Sequence, residues 1–189
     1  MKDAHWLDPW IDTIRDQTQG QALLELGCGR GADTGVLVSR GFNVVALDLN
    51  AEALNDCLVN PGCTPVRADV SATLPFADNS FRFLLASLSL HYFNWEETLA
   101  IASEIQRVLA SGGMLLMRVN STEDVNFGAG SGEALESDYF RRVNGQEKRF
   151  FKAAHVRAML QNLTLLDIAH ETIDRYGKDK NVWVAHAMA

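Results

Sequence analysis

The sequence predicts an α/β fold in which a mostly parallel sheet carries helices on both faces. Short apolar segments alternate with stretches of helical character through much of the chain, which is typical of a parallel sheet covered on both sides. Near the carboxyl end, two further apolar segments follow each other without room for a helical crossover, and this favours an antiparallel hairpin. With five strands before the hairpin, we expect a doubly wound, seven-stranded sheet whose C-terminal strand is antiparallel.

The strands are expected where apolar runs are bounded by glycine, proline or polar residues. These runs are 22–26, 43–49, 64–69, 81–88 and 114–119, followed by the hairpin strands 163–169 and 181–188. The segment 120–148 is polar and glycine-rich, with weak helical character near 133–141. A long irregular segment in a compact domain is more often a lid or a binding loop than a simple connection.

Capping residues locate the helices between the strands. Asp8 precedes Pro9, which predicts a helix over 9–18, and Asn50 precedes a helical stretch over 51–58. Asn94 and Glu97 have the spacing of a capping box, and the helix they open is expected to end at 111–113. Two further helices are expected over 34–40 and 153–162.

The composition is that of an ordinary globular domain. The 189 residues suit one domain over 1–189, and 47% of them are apolar. A net charge of −7 argues against a general binder of nucleic-acid backbones. Three cysteines without a CxxC pair favour reduced thiols in the cytoplasm, and no segment is typical of a signal peptide or a membrane span. We therefore expect one cytoplasmic domain that binds neither nucleic acid nor a membrane.

Three glycines between the first strand and the next helix indicate a ligand site. Gly27, Gly29 and Gly31 leave the backbone bare at the positive end of a helix. Gly27 and Gly29, with Ala32, also satisfy the dinucleotide fingerprint, and Asp48 stands at a suitable distance to bind a ribose. A nicotinamide-dependent oxidoreductase is therefore one reading of this loop.

Other features favour a different ligand. Glu25 stands two residues before Gly27, where a carboxylate suits a ligand with an ammonium and a sulfonium better than a pyrophosphate. Asp69 ends the third strand, where its side chain can accept a hydrogen bond from an adenine amino group. The chain is also short for two mononucleotide-binding halves and a substrate domain.

Four segments in order resemble the class I S-adenosylmethionine-dependent methyltransferases, most closely their small-molecule group. They are LLELGCGRGADTGVL, VVALDLN, VRADVSATLPFADNSFRFLLASLSLHYF and VLASGGMLLMRV, and the likeness covers about 23–119. The terminal hairpin extends the likeness, because this family ends its parallel sheet with an antiparallel strand. Arg82 and Ser111 depart from the family pattern, which usually has Asp and Pro there, but neither position is expected to touch the cofactor.

The resemblance implies S-adenosyl-L-methionine as the cofactor and a methyl acceptor beside it. The methionine part would lie against the glycine loop and its neighbours, which are Glu25, Gly27, Cys28, Gly29 and Gly31. Ser87 and Leu88 would lie near the methionine ammonium and the acceptor.

The resemblance also assigns the adenosine part of the site. Asp48 would bind the two ribose hydroxyls, and Leu49 would pack on the adenine. Asp69 would accept from the adenine amino group, while the backbone N–H of Val70 would donate to the ring nitrogen. Plainer explanations stay open, because Asp48 can serve as a helix cap and Asp69 as part of a turn.

The acceptor side of the site is less defined. His91 follows the fourth strand and is the candidate catalytic base, although a buried structural histidine is the alternative. Tyr139 and Glu133 are further candidates, and the segment 120–150 is expected to bind the acceptor. Trp6 and Trp10, in an N-terminal segment over 1–20, either cover the cofactor or pack the first helix.

The sequence favours a small organic acceptor and no metal. After the fourth strand it lacks the Asn-Pro-Pro-aromatic and Pro-Cys elements of enzymes that methylate DNA bases. The five histidines show no metal-ligand spacing such as HExxH. A protein that binds the cofactor without catalysis remains an alternative, because the same motifs would be present.

Overall fold

The structure contains one sheet of seven strands and a second, smaller sheet of three strands. The computed structural model describes residues 5–137 and 139–189. In chain order the strands are β1 (Leu23–Leu26), β2 (Val44–Asp48), β3 (Cys63–Arg67), β4 (Phe81–Ser87), β5 (Leu109–Asn120), β6 (Glu133–Ser137), β7 (Phe140–Val143), β8 (Gln146–Arg149), β9 (Thr164–Arg175) and β10 (Lys178–Met188). The helices are α1 (Ile11–Thr18), α2 (Ala32–Ser39), α3 (Ala51–Cys57), α4 (Trp95–Val108) and α5 (Ala153–Met159).

The large sheet has the order β3-β2-β1-β4-β5-β10-β9. The first five strands in this order are parallel, and β10 is antiparallel to both β5 and β9. The chain begins at the centre of the sheet, builds one edge and then returns to build the other. The expected doubly wound, seven-stranded sheet with an antiparallel C-terminal strand is confirmed.

Alternate residues of the central strands build separate cores on the two faces of the sheet. Leu24 and Leu84 pack with the inner face of α4, whereas Leu23 and Leu85 pack with α1 and α2. All four side chains are fully buried. Because side chains alternate across a strand, a run such as LLEL has to be apolar on both faces, and this explains its almost continuous hydrophobicity.

The capping signals operate as the sequence indicates. The Asn50 side chain accepts from the backbone N–H groups of Glu52 and Ala53, and α3 begins at the next residue. Asn94 and Glu97 form the expected capping box at the start of α4. The predicted first helix forms as a short 3-10 turn over Asp8–Trp10, which leads into α1.

The end of α4 differs from the expectation. The helix ends at Val108, and residues 111–113 belong to β5 rather than to the helix stop. Leu109 already has extended dihedrals, and the pairing of β5 with β4 shifts register between Phe81 and Phe83. Gly113 is required at this irregularity, because a Cβ there would lie 2.8 Å from the carbonyl oxygen of Ala110.

The segment expected to be irregular contains an antiparallel sheet of β6, β7 and β8. The expectation of helical character near 133–141 is wrong, since β6 and part of β7 occupy this range. Asn144 and Gly145 join β7 to β8 and both have positive φ, 51° and 78°. An Asn-Gly pair in a two-residue loop is a strong hairpin signal, and here it outweighs weak helix propensity.

The C-terminal hairpin is confirmed and is longer than expected. β9 extends to Arg175 and β10 starts at Lys178, so most of the expected connection is strand. Tyr176 and Gly177 form the two-residue turn, with φ values of 57° and 71°. The length of this hairpin carries its turn to the ligand-binding edge of the sheet.

Candidate functional site

A cavity of about 680 Å³ opens at the carboxyl ends of β1, β2 and β4. This is the edge where an open parallel sheet binds ligands. The predicted site residues that line it are Glu25, Gly27, Cys28, Gly29, Asp48, Leu49, Asp69, Val70 and Ser87, together with Leu88. The carboxylates of Glu25 in β1, Asp48 at the end of β2 and Asp69 after β3 therefore share one cavity.

The glycine loop forms one wall of this cavity. Gly27 and Cys28 donate backbone hydrogen bonds to the carbonyl oxygen of Leu47, at 2.7 and 3.1 Å. A Cβ on Gly27 would lie 2.3 Å from the Cβ of Ser89, whereas a Cβ on Gly29 would meet no atom within 4 Å. Gly27 is therefore needed for packing, and Gly29 leaves bare backbone that faces open space.

Gly31 has a different position from the other predicted residues. It does not line the cavity and instead precedes α2 with a φ of 77°. A Cβ there would lie 2.7 Å from the sulfur of Cys57. Its contribution is to turn the chain into the helix, which fixes the direction of the loop that does line the cavity.

Glu25 is a buried acid in the cavity wall. Its side chain is 3% exposed, and its Oε2 accepts a hydrogen bond of 2.6 Å from the hydroxyl of Thr34. Burial raises the pKa of Glu25 from 4.5 to about 8, with smaller contributions from the negative charges of Asp33 and Asp48. The carboxyl group therefore holds its proton at neutral pH, and a cationic ligand group beside it would favour its ionised form.

Both carboxylate oxygens of Asp48 accept hydrogen bonds from backbone N–H groups. Its Oδ2 accepts from the N–H of Gly29 at 2.8 Å, and its Oδ1 accepts from the N–H of Asn50 at 2.9 Å. The helix cap itself is provided by Asn50, so Asp48 is not needed for that purpose. Each carboxylate oxygen keeps a lone pair for a hydroxyl donor. Leu49 beside it is 58% exposed and lines the cavity, so its side chain is open to contact with a ligand.

Asp69 combines a turn with a position in the cavity wall. Its Oδ1 accepts hydrogen bonds from both the N–H and the hydroxyl of Ser71, at 2.9 and 2.7 Å. The turn explanation is therefore correct for one oxygen, while the residue still lines the cavity together with Val70.

Sequence reasoning missed a buried cation and its partners in the same cavity. Arg118 on β5 donates to the hydroxyl of Ser87 at 2.8 Å and lies 3.9 Å from the carboxylate of Asp33. Burial lowers its pKa to about 10, and the charge of Asp33 opposes that change. The Trp6 ring covers the Arg118 guanidinium at 3.6 Å, and its Nε1 donates to Asp33 at 2.9 Å. The signal available in the sequence was a single arginine within an otherwise apolar strand.

The two N-terminal tryptophans serve different purposes. Trp6 contacts Arg118 and Asp33, both of which line the cavity. Trp10 packs edge-on against His186 of β10, with ring centroids 4.9 Å apart. Of the two explanations weighed for this pair, cavity cover suits Trp6 and helix packing suits Trp10.

His91 lies at a second cavity, of about 240 Å³, which adjoins the first. Both cavities are lined by Leu88, Tyr92, Arg175 and Tyr176. His91 is 4% exposed, and burial together with nearby lysines and an arginine holds its pKa well below 6.5. Leu88 between the cavities has a φ of 55°, a strained conformation for leucine of a kind that often occurs at functional sites.

The other candidates for acid–base chemistry lie away from both cavities. Glu133 is exposed and pairs with Arg142 at 2.9 Å. Tyr139 packs edge-on against His155, with ring centroids 4.6 Å apart. Neither residue lines either of these two cavities. In the described part of the chain, no group of three or more His, Cys, Asp or Glu side chains is arranged to hold a metal ion.

The strand order, the antiparallel C-terminal strand and a cavity lined by Glu25, Asp48 and Asp69 define a class I methyltransferase fold. Residues 24–117 match the family described as "Methyltransferase domain". The chain belongs to the class I S-adenosylmethionine-dependent methyltransferases, and S-adenosyl-L-methionine is the cofactor of that family.

Curated relatives are similar to about half of the chain. An uncharacterized methyltransferase of Synechocystis is 34% identical over 99 residues, which are 52% of this chain and 46% of that protein. The chain thus spans less than half the length of that relative. Further relatives carry the names of enzymes with unlike acceptors, a malonyl-[acyl-carrier protein] O-methyltransferase and a probable tRNA methyltransferase.

Solved structures match almost the whole chain. An S-adenosylmethionine-dependent methyltransferase from Mesorhizobium loti has a TM-score of 0.76 at 18% identity and covers 98% of this chain and 99% of its own. A 1,6-didemethyltoxoflavin-N1-methyltransferase from Burkholderia thailandensis, solved with S-adenosylhomocysteine, has a TM-score of 0.70 at 18% identity and covers 98% of this chain and 79% of its own. At such identities the likeness establishes the fold.

Proposed function

We propose that this chain transfers the methyl group of S-adenosylmethionine to a small-molecule acceptor. The observation that carries the proposal is the placement of Glu25, Asp48 and Asp69 in one cavity beside the bare backbone of Gly29. A buried acid suits an ammonium group, and an aspartate at the end of β2 suits a ribose diol. The cavity of about 680 Å³ is within the usual range for a cofactor or ligand site.

The cofactor-binding residues are those in the wall of the larger cavity. We assign the methionine part to Glu25, Gly27, Cys28, Gly29 and Ser87, the ribose to Asp48, and the adenine to Leu49, Asp69 and Val70. Gly31 supports the loop from behind. Arg118 and Asp33, held by Trp6, provide a cation and an anion at the methionine end.

The protein acts mainly by alignment. S-adenosylmethionine supplies a methyl group on a positive sulfur that is a good leaving group. Orientation of the acceptor in line with that methyl group is worth up to about 7–11 kcal/mol of the barrier. A base is required only where the acceptor must first lose a proton. His91 faces the smaller cavity, and its lowered pKa keeps it neutral at pH 7, so it can accept a hydrogen bond there.

These site assignments also give roles to two segments of the chain, the N-terminal one and the segment 120–150. We propose a single cytoplasmic domain in which the segment up to residue 20 covers the cofactor through Trp6. The segment 120–150 would hold the acceptor, since Asn120, Phe127, Gln146 and Lys148 all line the smaller cavity. No helix in the described ranges is long and apolar enough to cross a membrane. The small-molecule acceptor bound in the Burkholderia neighbour supports the acceptor class.

Calorimetric titration tests the cofactor assignment. We expect micromolar binding of S-adenosylmethionine and at least tenfold weaker binding by Asp48→Ala, a loss of about 1.4 kcal/mol or more. Asp16→Ala, which removes an exposed carboxylate of α1 that does not line the cavity, is the matched control and is expected to bind normally. Tight binding of NAD or NADP instead would identify an oxidoreductase.

Turnover requires a separate measurement. Release of S-adenosylhomocysteine across a panel of small acceptors is expected for at least one member. Cofactor binding with no release across small-molecule, peptide and tRNA panels would favour a binding protein without catalysis. Release with tRNA or peptide alone would retain the methyltransferase and correct the acceptor class.

A further inference from the structure

The smaller cavity has a chemical character of its own. It has a volume of about 240 Å³, and its lining residues include His91, Asn120, Lys148, Arg175 and Lys180. The strands β5, β9, β10 and β8 and the segment after β4 each contribute to it. An occupant would lie next to the cofactor cavity, because Leu88, Tyr92, Arg175 and Tyr176 line both.

Positive charge is concentrated in this cavity although the chain as a whole carries −7. Lys148, Arg175 and Lys180 line it, and no Asp or Glu is among the described residues that do so. Lys180 is buried and paired with Asp124 at 2.6 Å, so its charge is compensated. Lys148 and Arg175 form no ion pair with any residue in 5–137 or 139–189. Lys148 and Arg175 therefore give the wall of this cavity a net positive charge.

The three cations repel each other. The pKa of Lys180 is lowered by burial and also by the charges of Arg175 and Lys148, which indicates how closely the groups converge. Such an arrangement costs free energy in the absence of a counter-ion, and an anion in the cavity would relieve it.

Among the residues that the structure describes, two buried side-chain N or O atoms have no hydrogen-bond partner, and both belong to residues that line this cavity. They are the Nδ1 atom of His91 and the Oδ1 atom of Asn120, on residues that are 4% and 1% exposed. Buried polar atoms are nearly always paired, and an unpaired one is energetically unfavourable. The amide oxygen of Asn120 accepts hydrogen bonds, so its missing partner is an O–H or N–H group.

We infer that the smaller cavity binds a small organic anion that also carries a hydroxyl or amino group, with Lys148 and Arg175 at its anionic end and Asn120 and His91 at its polar group. This inference rests on the proposed function, because it gives the chemical class of the methyl acceptor. The volume supports a compact ligand, since a cavity of about 150 Å³ already holds benzene. Carboxylates and phosphates share the chemistry that the cations recognise.

Binding of paired probes to the protein saturated with S-adenosylhomocysteine tests the inference. The carboxylate arm compares 3-hydroxybenzoate with the neutral 3-hydroxybenzamide, and the phosphate arm compares glycerol 3-phosphate with glycerol. We expect at least one anion to bind tenfold or more tightly than its neutral counterpart, with saturable shifts of methyl or amide NMR signals near Leu88 and Phe127. The stronger arm identifies the anionic group.

Lys148→Met is the variant that tests the cavity directly, because Lys148 lines only the smaller cavity. We expect it to weaken the preferred anion at least tenfold and to change S-adenosylhomocysteine affinity less than twofold. Lys178→Met is the matched control, since Lys178 is an exposed lysine at the start of β10 that lines neither cavity. It removes the same charge and is expected to leave both affinities unchanged.

Several results would overturn the inference while leaving the proposed function intact. They are equal affinity for charged and neutral probes, no anion binding up to 10 mM, or equal loss of affinity in the Lys148 and Lys178 variants. Failure of S-adenosylhomocysteine itself to bind would instead count against the proposed function. Asn120→Ala separates charge from hydrogen bonding, because it is expected to weaken 3-hydroxybenzoate but not benzoate.

Discussion

The hydroxyl of Thr34 donates a hydrogen bond of 2.6 Å to Oε2 of Glu25, where both side chains are buried at the wall of the larger cavity. The bond joins the end of β1 to the first turn of α2. It favours the charged form of Glu25 but is outweighed by burial, which leaves the pKa near 8. The protein therefore holds a proton on Glu25 at neutral pH.

The free energy of unfolding should depend on the protonation of Glu25. The folded pKa of about 8 lies above the ordinary value of 4.5. The contribution is therefore fully present below pH 4.5 and is lost as pH rises towards 8. The loss has an upper bound of roughly 5 kcal/mol, from 1.36 kcal/mol for each pKa unit. Urea unfolding at pH 5, 6, 7 and 8 measures it.

Glu25→Gln provides the comparison for that measurement, because it cannot ionise and keeps an acceptor for Thr34. As pH rises from 5 to 8, we expect the unfolding free energy of the original protein to fall relative to that of the variant. A difference that stays constant over that range would show that Glu25 has an ordinary pKa.

Cofactor binding should release protons from Glu25. With a pKa near 8, about nine-tenths of the Glu25 carboxyls are protonated at pH 7. A cationic ligand group beside the carboxylate favours its ionised form. Calorimetry at pH 7 in two buffers of different ionisation enthalpy should therefore give a release of up to about 0.9 proton. The same experiment with Glu25→Gln should lose that release.

Gly29→Ala should obstruct the cofactor more than it destabilises the fold. A Cβ at Gly29 points into open space, and its φ of 54° costs about 1–2 kcal/mol for alanine. The added methyl group would occupy the cavity wall where the ligand approaches the backbone. We expect at least tenfold weaker binding of S-adenosylhomocysteine, measured by calorimetry.

Gly20→Ala separates strain from obstruction. Gly20 also has a positive φ, 83°, and open space around its Cβ position, but it follows α1 and does not line the cavity. Its alanine variant should lose similar stability in urea unfolding and bind S-adenosylhomocysteine normally. Equal losses of affinity in the two variants would mean that strain alone explains the effect.

Trp6 contacts residues that line the larger cavity but does not line it, and its replacement should weaken cofactor binding. Its ring lies 3.6 Å from the Arg118 guanidinium, and its Nε1 bonds to Asp33. Trp6→Phe keeps an aromatic face and loses the hydrogen bond, whereas Trp6→Ala loses both. We expect cofactor affinity to fall in that order, by up to about tenfold, because a desolvated cation–π contact is worth up to roughly 2 kcal/mol. Trp10→Ala, which alters helix packing, should reduce stability and leave affinity nearly unchanged.

Removal of the segment 122–150 should abolish turnover and largely spare cofactor binding. Its two ends lie side by side, because Ser121 bridges to Phe151 and the N–H of Thr122 donates to the carbonyl of Phe151 at 3.0 Å. A short glycine linker can therefore replace the segment. Lys180→Met belongs in the same variant, since the deletion removes its partner Asp124. Loss of S-adenosylhomocysteine binding in a folded deletion variant would contradict a role confined to the acceptor.

A milder variant tests the same segment without deletion. The Arg149 guanidinium pairs with Glu136, and its Nε donates to the carbonyl of Phe93 at 3.1 Å. It therefore ties β8 and β6 to the segment that follows β4. Arg149→Met should lower turnover with little change in cofactor affinity, and Arg142→Met, which breaks exposed pairs in the same small sheet, is the control.

The parts of this molecule that follow local chemistry were predictable from its sequence. The strands of the parallel sheet are marked by apolar runs, and each of Glu25, Asp48 and Asp69 stands at or just beyond such a run. Because parallel strands end at the same edge, these carboxylates were expected to share a cavity, and they do. Asn50 and Asn94 mark helix starts in the same local manner.

The parts that depend on contacts distant in sequence were not predictable in this way. Arg118 reaches the cavity because β5 pairs with β4 in a register that places it beside Ser87. Arg175 reaches both cavities because the hairpin is two full-length strands joined by a two-residue turn. The Asn144–Gly145 pair indicates a hairpin in the sequence, but the polar composition around it led to the expectation of an irregular segment.

The two cavities are lined largely by different parts of the chain, and the long β9–β10 hairpin belongs to the C-terminal part. Most residues that line the larger cavity stand before Leu90, whereas the smaller cavity is lined, apart from Leu88, by residues from His91 to Lys180. A change in hairpin length by an even number of residues would keep its pairing to β5 and move Arg175 and Tyr176, which line both cavities, while Glu25, Asp48 and Asp69 stay in place. The proposed acceptor site is thus open to remodelling through the C-terminal half of the molecule, without substitution of the residues before Leu90 that are proposed to hold the methyl donor.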